Sequence, residues 1–89
     1  MLEQDVTITN RLGLHARASA KLVQALQPLK ASAFIRYRDR EVNAKSIMGV
    51  MMLAAGLGSV LTLRTDGEDE AGAMAAMIDL FNRKFDEGQ

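Results

Sequence analysis

The sequence predicts an α+β fold: a four-stranded, mostly antiparallel sheet covered on one face by three helices, in the order βαββαβα with strands arranged 1-4-2-3. Three observations predict it. Four short stretches alternate apolar and polar residues, so each strand offers one strongly apolar face. The stretches between them place apolar residues at helical spacing or follow a helix-capping residue. The chain has 89 residues, 48% of them hydrophobic, which suits one domain spanning residues 1–89 around one core. Strands one and two, joined through a helix, run parallel. The fourth strand fits antiparallel between them, which keeps the helices on one side.

Each element has its own signal. Val6 and Ile8 alternate with Asp5, Thr7 and Thr9, the pattern of a half-buried strand. Residues 10–14 form a loop with Gly13 at its special backbone position. A helix over residues 16–27 presents Ala18, Leu22, Val23, Ala25 and Leu26 on its apolar face, and Pro28 ends it because the residue before a proline disfavours helical angles. Ala33, Ile35 and Tyr37 alternate with Phe34, Arg36 and Arg38 in the second strand. Asp39 turns the chain into a short third strand carrying Val42 and Ala44, a hairpin without the usual Asn-Gly. Ser46 caps a short helix over residues 47–54, which Gly56 and Gly58 close. The fourth strand, residues 60–65, turns Leu61 and Leu63 to the core. "TDGEDE" then places Asp66, Glu68, Asp69 and Glu70 at the start of the last helix, with Arg83 and Lys84 near its end, as the macrodipole favours. Its apolar stripe is Ala71, Met74, Met77, Ile78, Phe81 and Phe85.

The composition narrows the function. Eleven Lys and Arg balance eleven Asp and Glu, which gives no electrostatic footprint for nucleic acid or an anionic membrane. Arg36, Arg38 and Arg40 make only a small basic patch, interrupted by Asp39 and Glu41, and no aromatic platform accompanies it. With no cysteine and one histidine, thiol chemistry and multi-histidine zinc sites are out, and no metal or cofactor is expected. No signal-peptide core or membrane-spanning run is present. The expectation is a soluble, cytoplasmic protein, by default a monomer.

The single histidine, in "NRLGLHARAS", stands after a glycine turn and at the start of a helix. Unpaired backbone N–H groups gather at a helix start, where the dipole is positive. A neutral imidazole there is a competent nucleophile. An anion attached to it would sit against those N–H groups, within reach of the Arg17 guanidinium. A phosphoryl group, with roughly two negative charges, matches the place. A lone loop histidine is more often a solvated side chain or a simple helix cap, and the sequence offers no partner carboxylate in an obvious triad.

"GLHARAS" followed by "KSIMGVMMLAAGLGSVLTL" resembles the HPr family, the histidine-containing phosphocarriers of the sugar phosphotransferase system, over essentially the whole chain. The resemblance implies an open-faced β-sandwich. It implies that His15 accepts a phosphoryl group from phosphorylated enzyme I, itself charged by phosphoenolpyruvate, and passes it to sugar-specific, enzyme IIA-type acceptors. Arg17 would neutralise the phosphoryl oxygens. Such a protein is a carrier with a covalent phosphohistidine rather than a self-sufficient catalyst. The alternative from the same resemblance is a regulatory phosphoprotein of the nitrogen-related branch, acting on partner proteins. One departure is visible: Ala18 stands where most of the family has proline, a loss worth about 0.4–1 kcal/mol of unfolded-chain entropy.

The second motif begins at Ser46, an N-cap by its position. In part of the family the matching serine is phosphorylated by an ATP-dependent HPr kinase/phosphorylase. The helix after it is apolar nearly all round: Val50 and Leu53 share one face, while Ile47, Met48 and Met51 cluster on another. That second cluster is either further core or, as the resemblance implies, a docking face shared with the histidine loop at Leu14 and Ala16. Methionines suit such a face because they adapt to several partner shapes.

Overall fold

The computed structural model describes residues 1–87. The elements follow as β1 (Leu2–Thr7), α1 (Ala16–Leu26), β2 (Ala31–Tyr37), β3 (Arg40–Asn43), α2 (Ile47–Met52), β4 (Val60–Gly67), α3 (Glu70–Asn82) and a C-terminal turn, Lys84–Asp86. The strands form one sheet in the order β1-β4-β2-β3, and every pairing is antiparallel. This is the architecture the alternation predicts.

Register explains which face is covered. Leu61 opposes Val6, Leu63 opposes Ile35 and Thr65 opposes Ala33, so period-two alternation aligns these side chains on the helix-covered face. There Ala33, Ile35, Leu61 and Leu63 join Ile8, Leu22, Leu26, Val50, Met77, Phe81 and Phe85 in one buried cluster, with Val6 partly buried against it. Each large apolar side chain so buried contributes about 1.5–3 kcal/mol. Thr65, polar and fully buried, donates its hydroxyl to the carbonyl of Glu70 at 2.9 Å. On the opposite face the Arg64 guanidinium lies 4.7 Å over the Phe34 ring and bonds Glu41 at 2.6 Å.

Some boundaries differ from the sequence reading. β1 begins at Leu2, and Ile8 lies beyond its end, although Ile8 stays hydrogen-bonded to Ser59 and Gly58 at 2.9 Å each. α2 stops at Met52, two residues short of the expected end. The glycines do not close it: Ala54 takes the left-handed conformation at φ 52°, and Arg40 Nη1 donates to the Met52 carbonyl at 2.8 Å. β4 continues to Gly67, whose φ of 129° and close approach to Lys30 and Ala31 fit a residue without Cβ. Of the acids expected at the last helix, only Glu70 lies in the first turn; the Asp69 carboxylate accepts the backbone N–H of Lys30 at 2.7 Å instead. Ala71 is exposed, while Ala73 and Leu80 take buried places on α3.

Candidate functional site

The loop ahead of α1 is fixed before His15 is reached. Gly13 N–H donates to Asn10 O at 3.2 Å, and Leu14 N–H donates to Ala55 O at 3.1 Å. Gly13 sits at φ 63°, and a Cβ there would lie 2.5 Å from the Ala55 carbonyl oxygen. Only glycine meets both demands. Leu14 follows at 4% exposure, in the core cluster, and Ser19 Oγ donates to its carbonyl at 3.2 Å. This corrects the expectation that Leu14 belongs to a docking face: it anchors the loop from beneath.

His15 is then the N-cap residue of α1, in extended backbone conformation (φ −76°, ψ −179°), with its carbonyl accepting the Ser19 N–H at 2.9 Å. Its side chain makes no capping bond, so it does not consume the first-turn N–H groups. The imidazole is 26% exposed. It lines an open pocket with Leu12, Ala16, Arg17, Asp86 and Glu87. Arg17 and Ala16 are both exposed. The histidine and the guanidinium are thus brought together at an accessible helix start.

A carboxylate completes the site, and the sequence reading missed it. Glu87, 72 residues from His15, places Oε2 in hydrogen-bond contact with His15 Nε2. Its Oε1 accepts from Asn10 Nδ2 at 3.0 Å, and the same Nδ2 donates to Gly13 O at 2.8 Å. The Glu87 side chain is only 6% exposed. Burial pushes its carboxyl up, but hydrogen bonds from Asn10 and His15, with the charges of His15 and Arg17, outweigh this and hold it below the usual carboxylate range. The turn that delivers it has Lys84, Phe85 and Asp86 at φ 55°, 53° and 62°. No glycine marks that turn in the sequence, so no local signal announced it.

Around α2, Ser46 is the N-cap, and its Oγ accepts the Gly49 N–H at 3.0 Å. A Cβ on Gly49 would approach Ser46 Oγ to 3.2 Å, so the small residue keeps this cap uncrowded. Val50 and Leu53 are buried as their spacing predicts. Ile47, Met48 and Met51 are exposed, Met48 at 72%, and Met52, Leu12 and Leu57 extend the exposed apolar set. Among the described residues no helix is long and apolar enough to cross a membrane.

Known proteins resemble this chain in sequence and fold. Residues 2–83 match the family described as the PTS HPr component phosphorylation site. The chain is 55% identical over 89 residues to a phosphocarrier protein HPr of Cupriavidus necator, covering 100% of each. The crystal structure of HPr-C-His from Thermoanaerobacter tengcongensis matches with a TM-score of 0.95 at 39% identity, covering 100% of both chains. The crystal structure of an HPr dimer from the same organism matches with a TM-score of 0.76 at 40% identity, over 96% of this chain and 98% of that one. A dimer of a relative means that the fold alone does not dictate the monomer expected from the sequence.

Proposed function

The chain belongs to the HPr phosphocarrier family of the phosphotransferase system, and from that premise we propose that His15 accepts a phosphoryl group from phosphorylated enzyme I and passes it to enzyme IIA-type acceptors in the cytoplasm. The observation that carries this reading is the shared open pocket of His15 and Arg17 at the uncapped start of α1. An imidazole nitrogen with a free lone pair attacks phosphorus, the new N–P bond forms and the donor's bond to phosphorus breaks. Arg17 offsets the charge on the phosphoryl oxygens, and the first-turn N–H groups of α1 supply further donors. Ile47, Met48 and Met51, with Ala16, form the apolar docking face for successive partners, and no resident metal or cofactor is needed for this exchange.

Ser46 is the regulatory position. A phosphoryl group added there by an HPr kinase/phosphorylase would put negative charge at the head of α2, beside the apolar face formed by Ile47 and Met48. Acidic partners would then dock less readily.

The test is incubation with enzyme I and phosphoenolpyruvate, followed by intact mass. The wild-type chain gains one acid-labile phosphoryl group. His15→Ala gains none, with an unchanged circular dichroism spectrum. Uptake by a folded His15→Ala variant removes the site. Supplying purified sugar-specific or nitrogen-branch acceptors to the charged protein then decides between the two branches.

A further inference from the structure

The chain has no cysteine, so its six methionines carry all of its sulfur. No thiol competes for an oxidant, and the reaction of each thioether then follows its exposure. The structure divides the methionines sharply on that basis. Met74 and Met77 on α3 are 7% and 0% exposed and belong to the core cluster. Met48, Met51 and Met52 on α2 are 72%, 41% and 59% exposed. Met1 is exposed as well, but its ammonium pairs with Asp66 and Glu70 at the head of α3, whereas α2 packs against α1 and β3.

Helical geometry gathers the three sulfurs of α2. Positions 48, 51 and 52 stand three and four residues apart, so their side chains share one face of the helix. Val50 and Leu53, on the other side, are the ones the core takes up. Met52 is tied into the fold through its backbone, since its carbonyl accepts from Arg40 Nη1 at 2.8 Å. Chemical change at the three thioethers therefore removes no core contact. Its effect falls on whatever meets this face. A sulfoxide is polar and chiral where the thioether was apolar and adaptable. In the free protein water satisfies the new oxygen. Against an apolar partner surface it loses that water and gains no donor, which opposes docking.

We propose that Met48, Met51 and Met52 form a reversible oxidation site, through which peroxide-class oxidants weaken partner docking on α2 while the fold and His15 stay unchanged. The inference rests on the docking-face reading above. In the step itself, a methionine sulfur takes one oxygen from the peroxide. The S–O bond forms as the O–O bond breaks, the sulfur gives up two electrons to the peroxide, and after proton transfer the other oxygen leaves as water. A methionine sulfoxide reductase supplied with a dithiol reverses this. The sulfoxide oxygen leaves as water, and the two thiols become a disulfide.

Hydrogen peroxide treatment of the full chain, followed by peptide mass mapping, reads the selectivity. Met48 and Met52 oxidise fastest, Met51 follows, and Met74 and Met77 react several-fold more slowly than any of them. Calorimetric titration against unphosphorylated enzyme I then reads docking with no phosphoryl transfer involved. The oxidised wild type binds several-fold more weakly with an unchanged circular dichroism spectrum, and methionine sulfoxide reductases with dithiothreitol restore its affinity. A triple variant, Met48→Leu with Met51→Leu and Met52→Leu, keeps apolar side chains of similar volume on α2 but no sulfur. Set against its own untreated affinity, it shows no response to peroxide, although Met1 still oxidises. Equal weakening in the triple variant overturns the proposal, because the response then arises elsewhere. So does unmoved affinity in wild type whose α2 methionines are oxidised, and so does loss of the fold on oxidation. Untreated wild type that does not bind enzyme I at all removes the docking face and the switch with it, an outcome distinct from binding that ignores oxidation.

Discussion

At the scale of single residues, the site depends on positions where two constraints coincide. Gly13 must adopt φ 63° and must also let the Ala55 carbonyl come within 2.5 Å of where a Cβ would stand. Gly13→Ala therefore meets left-handed strain of about 1–2 kcal/mol and a backbone clash together. The expected loss of stability is about 2–3 kcal/mol, seen as a lower urea midpoint with an unchanged slope. A loss under about 0.5 kcal/mol would mean that the loop moves aside easily and does not fix His15. The sequence disclosed half of this: a glycine between two leucines signals unusual backbone angles, whereas the approach of residue 55 is a property of the folded chain. Leu14 was misplaced for a related reason. The resemblance put the whole histidine loop on the docking face, but Leu14 turns inward and packs in the core.

At the scale of elements, legibility follows periodicity. The sheet order could be read because each strand alternates and because its connections leave few ways to keep the helices on one side. The end of α2 could not, since Ala54 at φ 52° and the bond from Arg40 to Met52 replace the expected glycine stop. α2 also divides its apolar residues by face, with Val50 and Leu53 inward and Ile47, Met48 and Met51 outward. If the outward set docks partners, Met48→Asp separates binding from stability. Its side chain is 72% exposed, so the change in unfolding free energy stays within about 0.5 kcal/mol. The KM for phosphoryl transfer from enzyme I rises several-fold, because the new charge must be desolvated at an apolar contact. Equal kinetics for variant and wild type in a transfer assay would take Met48 out of the docking face.

At the scale of the whole molecule, both ends of the described residues are tied down by carboxylates, and neither tie leaves a local trace in sequence. The N-terminal ammonium pairs with Glu70 at the head of α3, 3.1 Å away, and Glu87 returns the other end to the histidine loop. A hydrogen bond from the N-terminal ammonium, then one from the Gly67 N–H, lowers the Glu70 carboxyl despite some desolvation. Glu87 is lowered too, by Asn10, His15 and Arg17, against the opposing effect of burial. A carboxylate whose folded-state pKa is depressed favours the folded state wherever it is ionised in both states. That contribution is fully present above the ordinary carboxyl value of 4.5 and is lost as pH falls through the lower folded value. Urea unfolding at a series of pH values therefore gives a wild-type stability that declines below pH 4.5, with part of the decline assignable to Glu87. Glu87→Gln cannot be protonated there, so its stability lies below wild type at neutral pH and the two curves converge in acid. A gap that stays constant from neutral pH into acid would show that the Glu87 carboxylate is not held in charged form by Asn10, His15 and Arg17, and that the C-terminal turn closes on the site for packing alone.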